Sequence, residues 1–442
     1  MYSSILEKLI LPIGDFFNKS SYLKHLKKWR KIDALSEKEL TQLQKKKLKD
    51  LLLHTVNTVP NYKSISLIGD DPFLWLKEFP ILTKDILRTK NDSLLSSDFN
   101  KNDLIAYSSS GSSGIQSTVY MNKEEQSIIR AILIHWWEWS GYKPGKPIIQ
   151  TGMTINRGFL KSIKDILFRT KYINAFSLTE KQLHTLCKSI ENTSNYFLGG
   201  YASSLNVIAE FAKKYNYNIK FKSVISWGDK MFSHYNKNIK EAFKTNVFDT
   251  YACNEGFLIA AEKDLEYKYI MSPHVFLEIL DDNNTPVKDG EIGNVVVTRL
   301  DGYSMPLIRY RIGDLGIKLP LENYPKNRKY NYPLLQKIVG RETDVVFLPD
   351  GKKLIVHSFT GIFEYIPEIK QFKVMQEKID GITIQYIKSE TNFNMKALEK
   401  ATTELQKHIK DDNFIIEYVE VSYIAPTNSG KPQIIESKMH KN

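Results

Sequence analysis

The sequence predicts an α/β fold: a large N-terminal domain with parallel-rich sheets and a β subdomain, followed by a small α+β domain. Three observations predict it. Between about 103 and 300, short apolar runs such as NYFLGG, FKSVISWG and KTNVFDTYA alternate with helical patterns such as SSLNVIAEFAKKY and HYNKNIKEAF, the rhythm of βα units with partly parallel strands. From 269 to 300 the text changes character: VFLEILDDNNTPVKDGEIGNVVVTRL, residues 275–300, has β-rich runs separated by turn clusters at Asp281–Asn284 and Asp289–Gly290, which reads as a β-meander. Beyond 340, strands near 369–376 and 382–388, a helix at 394–409 and a strand at 414–424 make a unit of about 100 residues, near the lower mode of domain size.

In chain order, MYSSILEKLILPIGDFFNKS carries an apolar patch interrupted by Glu7, Lys8, Pro12 and Asp15. Those residues rule out a signal-peptide core or a membrane span and leave a packed amphipathic helix. Lys19, Lys24, Lys27, Lys28, Arg30 and Lys31 follow closely, so the segment also suits a weak membrane-surface contact. Ser36 then caps a long helix over SEKELTQLQKKKLKDLLLHTVNTV, with Leu40, Leu43, Leu48, Leu51 and Leu52 at helical spacing. The expected division is 1–340, with a helical start over 1–100 and the core and β subdomain over 101–340, then 341–442.

Composition is that of an ordinary globular chain: 442 residues, 42% hydrophobic and 25% charged, which argues against wholesale disorder. The net charge of +12 comes from 62 Lys plus Arg against 50 Asp plus Glu. The lysines lie in mixed-sign runs without interleaved aromatics, so a nucleic-acid module is not expected, and a nucleotide would be sufficient as the anionic partner. Cys187 and Cys253, far apart and outside any CxxC or Cys/His cluster, support neither a disulfide framework nor a thiol zinc site and suit a cytoplasmic setting.

Five local patterns carry candidate chemistry. SSSGSSGIQS, Ser108 to Ser117, is a loop rich in N–H and O–H donors of the kind a triphosphate requires; read alone it is nearly as well explained as a Ser-rich surface linker. In FDTYACNEGFLIAAE, Glu255 follows a β-like run, where a carboxylate could hold magnesium with phosphate oxygens, although a loop Glu is ordinary. MPLIRYRIGDLG places Arg309, Arg311 and Asp314 after a turn, with Asp314 set to accept two ribose hydroxyls or to join a surface ion-pair cluster. VGRETD offers Arg341 and Asp344 at the expected domain boundary, and PTNSGKPQIIESK offers Lys431 in a Gly-containing loop.

The order of the five resembles the adenylate-forming ligase superfamily of acyl-CoA synthetases, adenylation domains and luciferases. MPLIRYRIGDLG, VGRETDVVFLPDG and the final SGK look most like its phenylacetate-coenzyme A ligase branch, including CapK-like proteins of capsule biosynthesis. The likeness spans about residues 100 to 440. It implies an AMP-forming enzyme that uses ATP and magnesium to convert a carboxylic acid to an acyl-adenylate and then passes the acyl group on, with coenzyme A as the expected acceptor. It implies that Ser109, Ser110, Gly111, Ser112, Ser113 and Gly114 clasp the β and γ phosphates, that Gly228 and Asp229 flank adenine, and that Tyr251 stacks on it. Glu255 would bind magnesium, Asp314 the ribose, and Arg341 the ribose or α phosphate; Lys431 would stabilise charge at the pentavalent phosphorus. The small C-terminal domain would rotate between half reactions.

Two departures stand out. The family usually has Lys-Pro after the second glycine of the phosphate loop, whereas this chain has Ile115-Gln116. Phenylacetate ligases often carry a zinc site starting with Cys after Ala-Glu, whereas Ala261-Glu262 is followed here by Lys263, so no zinc is expected. For the acyl pocket the candidates are HWWEW at 135–139, Tyr201 and Trp227, although most of these rings are expected in the core. Two rival readings remain: acyl transfer to an amine or sugar in surface-polysaccharide assembly, and a degenerate nucleotide-binding relative.

Overall fold

An eleven-stranded sheet organises the larger part of the chain. The structure, a computed structural model, describes residues 2–108, 117–152, 158–175, 178–341, 344–363, 366, 368–388, 394–425 and 433–439. Five strands are parallel neighbours: β1 (Ile148–Gly152), β2 (Thr170–Asn174), β3 (Phe197–Tyr201), β4 (Val224–Trp227) and β5 (Val247–Cys253). The first four residues of β1 and of β3 are buried, as expected for strands covered on both faces. The connecting helices Glu180–Ile190, Ala202–Lys214 and Ser233–Phe243 share one apolar cluster with these strands.

The remaining six strands are antiparallel: β6 (Phe257–Ala261), β7 (Lys268–Ile270), β8 (Val275–Leu280), β9 (Ile292–Arg299), β10 (Tyr310–Lys318) and β11 (Leu334–Arg341). The sheet order is β8-β9-β10-β11-β7-β6-β5-β4-β3-β1-β2. The expected meander is therefore continuous with the parallel strands. The join is β5, which pairs in parallel with β4 on one side and turns back antiparallel onto β6 on the other. That turn holds Glu255.

The helical start is observed, with Tyr22–Ile32 and Glu37–Thr58 as its longest well-packed elements. Ser36 caps the second through a reciprocal box: its Oγ accepts from the Glu39 amide, and the Glu39 carboxylate accepts from the Ser36 amide at 2.8 Å. Leu48, Leu51 and Leu52 of this helix enter the main core. Residues 346–435 supply all the buried members of a separate apolar cluster around the sheet of Ile369–Lys378, Gly381–Lys388, Ile415–Glu420 and Ile435–Ser437. Its helix, Lys396–Ile409, covers that sheet with Leu398, Ala401, Leu405 and Ile409. Among the described residues, no helix is long and apolar enough to cross a membrane.

Asp33, just past helix Tyr22–Ile32, ties that helix to two distant elements. Its carboxylate meets His135 Nε2 at 3.0 Å and accepts from Trp139 Nε1 at 3.0 Å and Tyr332 OH at 2.9 Å. Burial alone would lower the His135 pKa, but the hydrogen bonds and charges of Asp33 and Glu138 outweigh it and raise the pKa. A raised pKa contributes stability that is complete below the unfolded value, about 6.5, and disappears as pH rises through the folded one. Asp33→Asn is accordingly expected to cost about 2 kcal/mol, more below about pH 6 than above about pH 8. Urea unfolding of both proteins at the two pH values measures the difference, and a cost that grows with pH would contradict the account.

Candidate active site

Some of the residues singled out from sequence, Tyr251, Asp314 and Arg341, come together on β5, β10 and β11. β10 and β11 pair antiparallel with Asp314 opposite Arg341. Tyr251, on β5, donates its hydroxyl to Asp314 Oδ2 at 2.7 Å. Burial, then the Asp314 carboxylate, push the Tyr251 pKa well up, and Arg341 pulls the other way. Tyr251 is thus a fixed donor, and the three side chains form one polar set. Lys230, just after β4, reaches the same strand pair by donating to the Val339 carbonyl at 2.8 Å.

Glu255 lies in the β5–β6 turn and is only 6% exposed. Tyr310 OH donates to its Oε1 at 3.1 Å, and Arg299 Nη1 approaches its backbone carbonyl at 3.3 Å. Burial, then the Glu255 charge, raise the pKa of both Tyr310 and Cys253, so both keep their protons beside the carboxylate. Gly256, at φ +88°, makes the turn possible, because an added Cβ would lie 2.5 Å from the Met121 methyl and 2.6 Å from Arg299 Nη1.

Gly228 follows β4 at φ +83°, and a Cβ there would stand 2.5 Å from the Tyr201 ring. Asp229 turns its carboxylate to the start of helix Ala202–Lys214, accepting from the Ala202 amide at 2.5 Å, from the Ser203 amide at 3.2 Å and from the Ser203 hydroxyl. Its charge complements the amide end of that helix. Gly228→Ala is expected to displace Tyr201 and loosen this turn, costing about 1–3 kcal/mol. Differential scanning calorimetry measures the loss, and an unchanged Tm would contradict the close approach.

The aromatic candidates divide. His135 and Trp139 are held by Asp33 in the core, as expected for most of these rings. Trp137, by contrast, stacks on Trp227 at 5.4 Å and 13°, at the end of β4, with Tyr201 at the neighbouring end of β3. Of the two arginines of MPLIRYRIGDLG, Arg309 pairs with Glu278 at 3.1 Å and donates to the Phe79 carbonyl at 3.2 Å, while Arg311 donates to Asn294 at 2.7 Å. Both brace the sheet.

The loop Ser109, Ser110, Gly111, Ser112, Ser113, Gly114, with Ile115-Gln116, and the terminal Lys431 all lie outside the described residues. Among the described residues there is no group of three or more His, Cys, Asp or Glu that could hold a metal. His274 uses both ring nitrogens within the protein, on Asp301 at 2.9 Å and on the Gly256 carbonyl at 3.3 Å.

One buried group escaped the sequence reading. Glu125, on helix Lys123–Trp139, is 3% exposed and accepts the backbone amides of Tyr303 and Ser304, each at 2.7 Å, beside Arg299 at 3.5 Å. Arg299 in turn touches the Glu255 backbone, so Glu125 steadies the turn that presents Glu255. Its sequence signal was only a carboxylate in the first turn of a helix, which is commonplace.

The fold is that of acyl-CoA ligases. A crystal structure of 2-hydroxyisobutyryl-CoA ligase in its postadenylation state, with an acyl-AMP, superposes with a TM-score of 0.72 over 92% of this chain and 91% of that one, at 17% identity. The chain is homologous to Protein CapK of Staphylococcus aureus, which is 25% identical over 97% of this chain and 96% of that protein. The family described as the CapK C-terminal domain matches residues 346–438. A phenylacetate-coenzyme A ligase of Pseudomonas putida is 29% identical over 34% of this chain and 32% of its own length.

Proposed function

We propose that the protein is an ATP-dependent, AMP-forming ligase that converts a carboxylic acid to an acyl-adenylate and transfers the acyl group to coenzyme A. The observation that carries this reading is the Tyr251–Asp314–Arg341 set, a ring, a carboxylate and a cation brought together by three strands. Asp314 accepts from the ribose hydroxyls, Tyr251 packs on the base beside Gly228 and Asp229, and Arg341 reaches the ribose or α phosphate. The Asp229 carboxylate orders that turn by capping helix Ala202–Lys214.

The acid needs no activation by a base, since a carboxylate is already a nucleophile. Its oxygen bonds to the α phosphorus as the bond to pyrophosphate breaks, and the protein's task is alignment and neutralisation of charge. Ser109, Ser110, Gly111, Ser112, Ser113 and Gly114 hold the departing phosphates, and Lys431 faces the phosphorus. Glu255 is a single buried carboxylate, a donor set that suits magnesium when phosphate oxygens complete its shell; the ion would supply positive charge there. Residues 341–442 act as the mobile lid, and Trp137, Trp227 and Tyr201 edge the acyl pocket. The two free cysteines fit a cytoplasmic setting.

The test is ATP–pyrophosphate exchange with a panel of carboxylic acids and no coenzyme A. Exchange stimulated by one acid is the expected result; silence across a broad panel from folded, ATP-binding protein would count against the reading. A second acceptor class, an amine or sugar in surface-polysaccharide assembly, is suggested by the resemblance of MPLIRYRIGDLG and VGRETDVVFLPDG to CapK-like proteins of capsule biosynthesis. Turnover that ignores coenzyme A would favour it.

A further inference from the structure

The first seventeen described residues form an unbroken helical stretch through Tyr2–Ile5, Leu6–Ile10 and Leu11–Asn18. Only a minority of its apolar side chains face the protein: Leu6 and Leu11 are buried in the cluster that holds Tyr22, Leu26 and Trp29. Ile5, Leu9, Ile13 and Phe17, spaced four apart, point outward with Phe16 at exposures of 39%, 60%, 57%, 78% and 79%. Side chains at this spacing share one helix face. The expected packed amphipathic helix is therefore present, packed through Leu6, Leu11 and partly Ile10, with the rest of its apolar side chains turned outward.

The exposed charge beside this stripe is mostly positive. Lys8 and Lys19 are exposed on or at the end of the same helix, and helix Tyr22–Ile32 exposes Lys24, Lys27, Lys28 and Lys31. The last four border a shallow concavity that Pro12 and Asp15 of the first helical stretch also line, so the lysine row runs alongside that stretch. Among the described residues, no carboxylate lies within ion-pairing distance of any of these six lysines, in contrast to Arg30, which pairs with Glu7 and Glu138. Asp15, the acid lining the concavity, is committed to the Leu23 amide at 2.8 Å.

We propose that this face seats the protein on an anionic lipid surface, with the Phe16–Phe17 end at the boundary of headgroups and acyl chains and the lysines against lipid phosphates. A large exposed apolar stripe flanked by lysines is the pattern of a helix lying in the membrane interface. A second copy of the chain is the poorer occupant, because pairing two such stripes would bring like-charged lysine rows together. The inference is independent of the ligase reading.

The test is co-sedimentation of the full chain with vesicles of phosphatidylcholine alone or mixed with phosphatidylglycerol. Binding to the mixed vesicles only, weakened by added salt, is expected. The double variant Phe16→Ser, Phe17→Ser should lower that binding at least about tenfold, and Lys24→Gln and Lys28→Gln about fivefold each. These side chains are exposed, so the variants should unfold at the parent temperature. Failure to bind mixed vesicles, equal binding to neutral ones, or indifference to Phe16→Ser, Phe17→Ser would overturn the proposal. So would a dimer in light scattering that the same variant converts to monomer.

Discussion

Lys431→Ala is expected to reduce ATP–pyrophosphate exchange by about 10²–10³-fold, the usual cost of removing one group aimed at developing transition-state charge, while transfer from supplied acyl-adenylate continues at the parent rate. The asymmetry follows from where charge develops. In the first half reaction negative charge builds on the oxygens of a pentavalent phosphorus, and a cation beside it lowers the barrier. In the second, charge develops at the acyl carbonyl, and on the proposed account residues 341–442 have by then carried Lys431 away. Lys431→Arg keeps the charge but presents a planar fork in place of a compact ammonium, so exchange should recover only in part. Both half reactions are measurable on the same preparation, and equal loss of the two would contradict a lysine that serves only one.

The second large effect is expected at Asp314. Asp314→Asn should raise the KM for ATP by about 10–100-fold, corresponding to one or two hydrogen bonds to a charged group. Asp314 also accepts from Tyr251, so the same change leaves a buried hydroxyl poorly satisfied and lowers stability by about 1–3 kcal/mol. Tyr251→Phe separates the two roles. It removes the donor and keeps the ring, so the double variant Asp314→Asn, Tyr251→Phe should regain part of the lost stability without regaining affinity for ATP. Parallel recovery of both would mean that Asp314 acts on nucleotide only through packing. Tyr251→Ala should weaken ATP binding further than Tyr251→Phe, since it also removes the stacking surface.

The sequence was most legible where chemistry is local. The Ser36–Glu39 capping box, helix Glu37–Thr58, the alternation of strands and helices to β5, and the strand–helix–strand run of the C-terminal unit all depend on residues a few positions apart. Motif order likewise placed Tyr251, Asp314 and Arg341 on a shared list, and the structure brings them within one pairing network. For the first helix, local pattern registered an apolar face without saying what covers most of it.

By itself the sequence determined the α/β class, the bounds of helix Glu37–Thr58 and of the C-terminal strands and helix to within a few residues, and the motif set that points to adenylate chemistry. Tertiary structure alone decided that Asp229 caps helix Ala202–Lys214, that Arg309 and Arg311 brace the sheet, that Asp33 gathers His135, Trp139 and Tyr332, and that Glu125 supports the Glu255 turn. The physical reason is range. The Ser36 cap and the strand alternation are set by neighbours along the chain, whereas a buried charge takes its partner from whichever element the fold lays against it, here up to 299 positions away.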